Sequence, residues 1–257
     1  MNSTPIYPEI RRKAILDQVE KDGQITVQGL SQQFGVSEVT IRTDLQVLAE
    51  SGLLMRTHGG AVAIAGSPEL SVVLRQQKQV HEKNRIGEYC AGLIHDGDAI
   101  FLDISTTALA LSRHLSSHRN LTVITNSLIT AQELLEIPSI NVILPGGTVR
   151  RETLSITGED GLSWVKKYNL RIGFFGAHGI GFPEGLTDVS QYEAQVKAEM
   201  VKQCKLVVGI FDATKWGRVG FASFAALNEV DIVVTDQNAD DALVGQAVAS
   251  GIEVIKV

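Results

Sequence analysis

The chain has 257 residues, 44% of them hydrophobic and 20% charged, with a formal net charge of −6. That balance fits a globular protein with a sizeable core in one large domain or two modest ones, and excludes low-complexity and collagen-like chains. No apolar run approaches the ~20 residues that a membrane-spanning helix needs, and MNSTPIYPEIRRKAIL lacks the basic-then-apolar order of a secretory signal. The expected location is the cytoplasm. Cys90 and Cys204, the only cysteines, each sit in an apolar, helix-like context and read as reduced, buried thiols. They are too few for a disulfide scaffold or a cysteine zinc site.

In chain order, the first strong signal is residues 26–61, TVQGLSQQFGVSEVTIRTDLQVLAESGLLMRTHGGA. Leu30 and Phe34 set one apolar stripe, Gly35 breaks the helix, and Ser37 is a good N-cap for the next one. Val39 or Ile41, then Leu45 and Leu48, recur at helical spacing, leaving Glu38, Thr40, Arg42, Thr43 and Gln46 on the opposite face. A helix of this size over a preceding helix fits the DNA major groove. Leu53–Arg56 reads as a strand, and Gly59-Gly60 as the hairpin that returns through Val62–Ile64, with Arg56 and His58 flanking it within reach of phosphate. The candidate DNA contacts are therefore Ser37, Glu38, Thr40, Arg42, Thr43, Gln46, Arg56 and His58.

Charge pulls the other way. Residues 1–64 carry six Lys/Arg against seven Asp/Glu, where a DNA-binding domain is usually basic. The cations are clustered, with Arg11, Arg12 and Lys13 opening the first helix, so phosphate contact is expected from local placement. Weak non-specific binding and reliance on a dimer or higher oligomer follow.

Residues 65–81, passing through Gly66-Ser67-Pro68 into a polar helix-like stretch, read as a linker. Beyond it, helix-like 82–95 precedes Ala99–Leu102, and Leu121–Ile124, Ile140–Leu144, Ile172–Phe175, Leu206–Ile210 and Ile232–Val234 follow. Short Val/Ile runs alternating with amphipathic stretches predict a mostly parallel sheet buried on both faces. Ligands of such sheets bind beyond the carboxyl ends of the strands. There stand Asp103, Ser105, Thr106 and Thr107, then Thr125 and Asn126, then Gly146, Gly147 and Arg150, and finally Asp212 to Lys215. Hydroxyls, backbone N–H groups and cations suit a phosphate. Gly176–Gly181 lacks dinucleotide-fingerprint spacing, and the six histidines show no ligand-like spacing, so neither a cofactor nor a metal is expected.

VSEVTIRTDLQVLAESGLLMRTHGGA resembles the winged-helix signature of the DeoR family of bacterial transcriptional regulators, with Thr43 where the family commonly has a second basic residue. LDISTTALAL, VITNSL, LPGGTVR, GEDG, EGLT and FDATKWG resemble that family's effector domain, which is similar to ribose-5-phosphate and amino-sugar-phosphate isomerases. The resemblance implies that Asp103, Ser105, Thr106 and Thr107 form a phosphate loop and that Lys215 touches a sugar phosphate. Ser105 replaces the family's usual Gly, and His178 stands where regulators often, and isomerases in their chemistry, place an acid. The site is thus expected to sense rather than to catalyse.

The fold expected is α/β: a winged helix-turn-helix over 1–64, a linker over 65–81, and a Rossmann-like, mostly parallel effector domain over 82–257. The function expected is a repressor of a sugar-catabolic operon, a homodimer or homotetramer released from operator DNA by a phosphorylated sugar. Its effector set is Asp103, Ser105, Thr106, Thr107, Thr125, Asn126, Gly146, Gly147, Arg150, His178, Glu193 and Lys215. One rival is an aldose–ketose phosphate isomerase with an appended helix-turn-helix, for which Glu193, ahead of Lys197, is the surviving base. The other is an oligomerisation module with a vestigial pocket.

Overall fold

The computed structural model describes residues 7–22, 24–50, 54–62, 72–151, 153–158, 163 and 165–257. The GEDG motif beyond Gly158, Gly52, Leu53, Ile64 and Gly66-Ser67-Pro68 lie outside the described residues. The chain divides into two compact units, residues 1–74 and 75–257, and the division falls within the stretch assigned to the linker.

In the first unit, α1 (Pro8–Asp22) leads into β1 (Gln24–Thr26), α2 (Val27–Phe34) and α3 (Glu38–Glu50). Thr26 caps α2 by accepting from the Gly29 N–H at 3.1 Å, and Gly35 ends it in the left-handed region at φ 63°. Ser37 Oγ accepts from the Thr40 N–H at 3.1 Å and starts α3. Ile41, Leu45 and Leu48 are buried against Ile15, Leu16, Val19 and Leu30, while Val39 is 69% exposed, which settles which residue belongs to the stripe. The wing is β2 (Met55–Thr57) and β3 (Gly60–Val62), turning at His58-Gly59. It gains a third strand the sequence reading did not foresee, because β1 pairs with β3. A Cβ on Gly60 would stand 1.9 Å from the Ile25 carbonyl oxygen, so only glycine permits that approach.

α4 (Val72–Gln77) crosses the division between the units, and α5 (Val80–Ala91) follows. The second unit then alternates: β4 (Ala99–Leu102), α6 (Thr106–Ser112), β5 (Leu121–Thr125), α7 (Leu128–Leu135) and β6 (Ile140–Ile143). A hairpin of β7 (Thr148–Arg150) and β8 (Ser155–Thr157) leads to β9 (Leu170–Phe175). β10 (Gly179–Gly181) and β11 (Gly185–Asp188) precede α8 (Gln191–Val201) and β12 (Cys204–Ile210). β13 (Ala222–Ala225), β14 (Ile232–Thr235), α9 (Asp241–Ala249) and β15 (Glu253–Lys256) complete the chain.

Seven strands form one parallel sheet in the order β15-β14-β12-β9-β4-β5-β6. Ile100 and Leu102 pack on one face with Ile86 of α5 and Leu111 of α6, and Phe101 packs on the other with Val196 and Met200 of α8. This two-sided burial explains why the strands read as continuous apolar runs. The sequence reading missed β15, a short edge strand with a charge at each end, and the antiparallel sheet β10-β11-β13, whose first strand is Gly-Ile-Gly. It also placed Cys204 in a helix, whereas Cys204 opens β12 and is only partly buried. Among the described residues no helix is long and apolar enough to cross a membrane.

The order matters for function. From β4 the chain builds outward through β5 and β6, then returns to the other side of β4 as β9 and continues outward through β12, β14 and β15. The direction reverses between β4 and β9, and a crevice opens at such a point outside the carboxyl ends of the strands.

One charge arrangement in the first unit generates a test. Asp44, on α3, is 1% exposed and accepts from Arg11 Nε at 2.6 Å and Arg12 Nε at 2.8 Å. Removing one member of a buried pair leaves its partner uncompensated at a cost of about 3–5 kcal/mol. Asp44→Ala is therefore expected to lower amide-exchange protection across α1 and α3 by ~100-fold or more. Unchanged protection would show that these arginines find water at no cost.

Candidate functional site

On the first unit, Ser37, Glu38, Arg42, Thr43, Gln46, Arg56 and His58 are exposed and Thr40 partly so. All lie on α3 or its cap and on the wing, away from the buried Ile41, Leu45 and Leu48. Arg42 pairs with Glu38 one turn earlier at 2.7 Å, both about half exposed, and Arg56 Nη1 donates to Gln46 Oε1 at 2.5 Å. The wing thus touches the reading helix through a polar pair that lies at the surface. An exposed pair of this kind contributes a few tenths of a kcal/mol and yields readily to a phosphate or a base edge. Ser37 and Thr40 hydroxyls bond each other at 2.9 Å, so Ser37 serves first as the cap. The expectation for Arg11 and Arg12 needs correction: Arg11 is 5% exposed and both bind Asp44, so their charge holds α1 to α3.

On the second unit, the strand-end residues gather along the carboxyl edge of one sheet, and at the switch point they are joined. The Asp103 carboxylate, fully buried after β4, accepts from the Ser105 N–H and, across the crevice after β9, from the Gly176 N–H, each at 2.9 Å. A Cβ on Gly176 would stand 2.2 Å from Ser105 Cβ, so the two loops interlock. Lys197 on α8 reaches both: its Nζ lies 2.7 Å from the Gly176 carbonyl, 3.0 Å from Asp103 and 2.7 Å from Asp188 at the end of β11. Burial works to lower the Lys197 pKa, but the two carboxylates overcome it and raise it. For Asp188, burial works upward while Lys197 draws the pKa below its ordinary value.

Two chemically distinct poles flank this hub. The first is cationic. Ser105 Oγ caps α6 by accepting from Ala108 N–H at 3.0 Å, and Thr106 and Thr107 follow, both buried. Lys83 on α5 and Lys215 after β12 face the same region. Burial lowers the Lys83 pKa to about 8; Asp212 opposes this, and Lys215, Arg75 and Lys78 add to it. Burial also lowers Lys215, against Asp212 and with Arg218, Arg75 and Lys78. His178 is lowered by burial and then by Lys215, so it is neutral at pH 7. Asp212, the carboxylate in their midst, accepts from the Thr214 N–H at 3.0 Å and from its hydroxyl, holding the turn that carries Lys215.

The second pole accepts hydrogen bonds. Glu193, 1% exposed on α8, takes Ser155 Oγ at 2.5 Å, Thr153 Oγ1 at 3.2 Å and Arg150 Nη1 at 3.4 Å. Burial raises its pKa against the pull of Ser155, Lys197 and Arg150. Arg150 also donates to Ser190 Oγ at 2.7 Å. Asn126 Nδ2 lies 3.4 Å from Glu193, while its Oδ1 is buried with no hydrogen-bond partner among the described residues. Asn126 helps line an apolar hollow with Phe101, Ile124, Pro145, Gly146 and Met200. A buried acceptor without a donor is costly. Thr125 Oγ1 instead accepts from Ser127 N–H at 3.1 Å, and Gly147, at φ 140°, permits a close approach to the Thr157 carbonyl. Both shape loops.

Reading strand ends alone overlooked Arg75, Lys78, Lys83, Asp188 and Arg218 as members of the site. For Lys83 a signal existed: it falls on the stripe Ile86, Gly87 and Cys90 at i+3, i+4 and i+7, where a solvated lysine does not belong.

Comparison with known proteins identifies the family. Residues 11–66 match the DeoR-like helix-turn-helix domain, and residues 78–237 match the DeoR C-terminal sensor domain. The HTH-type transcriptional regulator GolR of Listeria innocua is 35% identical over 93% of this chain and 94% of its own. The glycerol-3-phosphate regulon repressor of Escherichia coli is 33% identical over 88% of this chain and 90% of its own. Among solved structures, ribose 5-phosphate isomerase A of Methanocaldococcus jannaschii is 15% identical, with a TM-score of 0.39 over 52% of this chain and 53% of its own.

The hub yields a test. Lys197→Met would leave Asp103 and Asp188 buried without their counter-charge, at a cost of about 3–5 kcal/mol at neutral pH. Because the Asp188 pKa is depressed, its stabilisation is present above the ordinary carboxyl value of 3.8 and lost as pH falls through the folded value. Without Lys197, burial acts on the Asp188 carboxyl unopposed by that counter-charge and pushes its pKa up, so the variant sheds its penalty by taking up a proton. The stability gap to wild type in urea is expected to narrow as pH falls from about 7, and further as wild-type Asp188 titrates below 3.8. A gap that stays constant would mean Lys197 acts by packing alone.

Proposed function

Because the chain belongs to the DeoR family of transcriptional regulators, we propose that it represses a sugar-catabolic operon in the cytoplasm and leaves its operator when a phosphorylated sugar binds the second unit. The observation that carries this reading is the pairing of poles about the switch point. Lys83, Lys215 and the Thr106 and Thr107 hydroxyls suit a phosphate, while Asn126 Oδ1 and Glu193 suit sugar hydroxyls. A phosphomonoester carries nearly two charges at pH 7 and makes charge-assisted hydrogen bonds with such cations. The name of the Escherichia coli relative, a glycerol-3-phosphate regulon repressor, supports a small phosphorylated polyol or sugar as the class. The proposed effector set is Asp103, Ser105, Thr106, Thr107, Asn126, Arg150, His178, Glu193 and Lys215, with Thr125, Gly146 and Gly147 shaping the loops around it.

On the operator, Ser37, Glu38, Thr40, Arg42, Thr43, Gln46, Arg56 and His58 form the contacting face. With Arg11 and Arg12 committed to Asp44, one copy offers few cations to phosphate, so two copies reading two half-sites supply the affinity.

The isomerase reading has less support. Glu193 is bonded to two hydroxyls, Lys197 is locked between carboxylates, and His178 occupies the position where an isomerase needs an acid. A thermal-shift and turnover screen across sugar phosphates tests this directly. Stabilisation without turnover is expected, about 2.7 kcal/mol at 100 times the dissociation constant. Turnover abolished by Glu193→Gln would establish an enzyme, and no stabilisation by any member would remove the sensor.

Arg42, the cation among the described residues of α3, is expected to contact a base edge or a phosphate. Arg42→Ala should weaken operator binding by ~1–3 kcal/mol in a gel-shift titration. Affinity within about twofold of wild type would place Arg42 outside the interface. Lys215→Met removes a charge-assisted bond worth ~1.5–3 kcal/mol, so the sugar-phosphate concentration for half-release should rise about tenfold or more. Superimposable release curves would place Lys215 outside the effector site.

A further inference from the structure

The cations of the first pole do not all come from the strand ends. Arg75 and Lys83 come from α4 and α5, and α4 crosses the division between the two units. Lys83 Nζ, on a residue only 7% exposed, donates to the Arg75 carbonyl at 2.5 Å and to the Lys78 carbonyl at 2.6 Å. Thr106 Oγ1, in the proposed phosphate loop, lies 3.5 Å from the same Arg75 carbonyl. The backbone at the end of α4 is thereby tied to the pole at two points. The Arg75 side chain is placed differently: Nε and Nη2 are buried, and neither has a hydrogen-bond partner among the described residues. A guanidinium with two dry nitrogens and their N–H donors unbonded is costly. It faces Lys83 and Lys215, whose pKa values its charge presses down, and Asp188, whose pKa it helps to lower.

We propose that Arg75 and Lys83 bind the effector's phosphate and that, through them, α4 is the element by which effector binding in the second unit acts on the first. This rests on the sugar-phosphate reading above and adds its regulation. A dianion at the pole satisfies Arg75 Nε and Nη2 in the forked geometry that guanidinium offers to phosphate. Lys83 has one donor beyond the two spent on carbonyls, and the anion takes it. The same anion therefore binds the side chain of α4 directly and its backbone through Lys83. Binding fixes the position of the segment that joins the units, and that difference between bound and unbound forms is the coupling free energy. Lys215 stands on a turn after β12, outside α4 and α5.

The two roles separate experimentally. Operator affinity of the full-length protein is measured against concentration of the sugar phosphate, such as glycerol 3-phosphate, glucose 6-phosphate or fructose 1-phosphate, that best stabilises it. Wild type is expected to lose operator affinity to a plateau and to show slowed amide exchange over residues 72–79 at saturation. Lys215→Met should need about tenfold more sugar phosphate yet reach the wild-type plateau. Arg75→Gln should also bind about tenfold more weakly, but its plateau at saturation should fall to within about twofold of no release. Lys83→Met, which cuts the backbone tie, should lose the plateau too and provides the test if Arg75→Gln fails to fold. Variants at Arg75 or Lys83 that reach the wild-type plateau at saturation would overturn the coupling role while leaving the sensor reading intact. A wild-type protein that neither binds nor responds to any of the three would overturn both.

Discussion

A single buried ammonium organises the second unit. Lys197 stands 3.0 Å from Asp103 and 2.7 Å from Asp188, also donates to the Gly176 carbonyl, and lies 4.9 Å from the centre of the Phe224 ring. Those partners belong to the loops after β4 and β9, to β11 and to β13, so one side chain on α8 draws together the elements that frame the switch point. A lysine pays heavily to leave water, and only two carboxylates with a carbonyl and an aromatic face offset that cost. The arrangement works as an all-or-none constraint: each member makes burial of the others tolerable. The loops it fixes carry Ser105, Thr106 and His178, so the geometry of the cationic pole inherits the precision of a buried ion cluster.

With Lys197 spoken for, the remaining cations of the pole lack comparable compensation. Asp212 faces Lys83 and Lys215 while also capping its own turn. Burial depresses both lysines, and Lys83 falls to about 8. A protein selected for stability alone would dilute such a cluster. Tolerated crowding of like charge fits the proposed anion site, because a bound anion would recover the energy withheld from folding. The same logic applies to Asn126, whose Oδ1 forgoes a hydrogen bond at the opposite pole.

The first unit uses charge in the opposite way. Arg11 and Arg12 are spent inside the fold on Asp44, and the exposed Arg42 and Arg56 rest on Glu38 and Gln46 in pairs weak enough to exchange for DNA. Buried pairs specify how α1 meets α3, and exposed ones hold the reading groups in place at little energetic cost to release.

What was legible in the sequence was what local chemistry encodes. Gly35 ends α2 because the chain needs a positive φ there, Ser37 starts α3 because its hydroxyl reaches the Thr40 N–H, and Ile41, Leu45 and Leu48 recur at the helical period. The apolar runs declared strands buried on both faces, and the residues after them marked the carboxyl edge of the sheet. The tertiary structure alone decided which strand ends become neighbours. The reversal between β4 and β9 follows from packing order, and the bond it permits joins residues 73 apart, from Gly176 N–H to Asp103. Arg11 and Asp44, 33 residues apart, are likewise an ion pair that no periodicity announces. Lys83, Arg75 and Lys197 sit on helices, where a cation usually means a solvated face. The apolar stripe hints at this for Lys83, but for Arg75 and Lys197 only the three-dimensional fold shows that they point inward, because burial depends on what packs against a side chain.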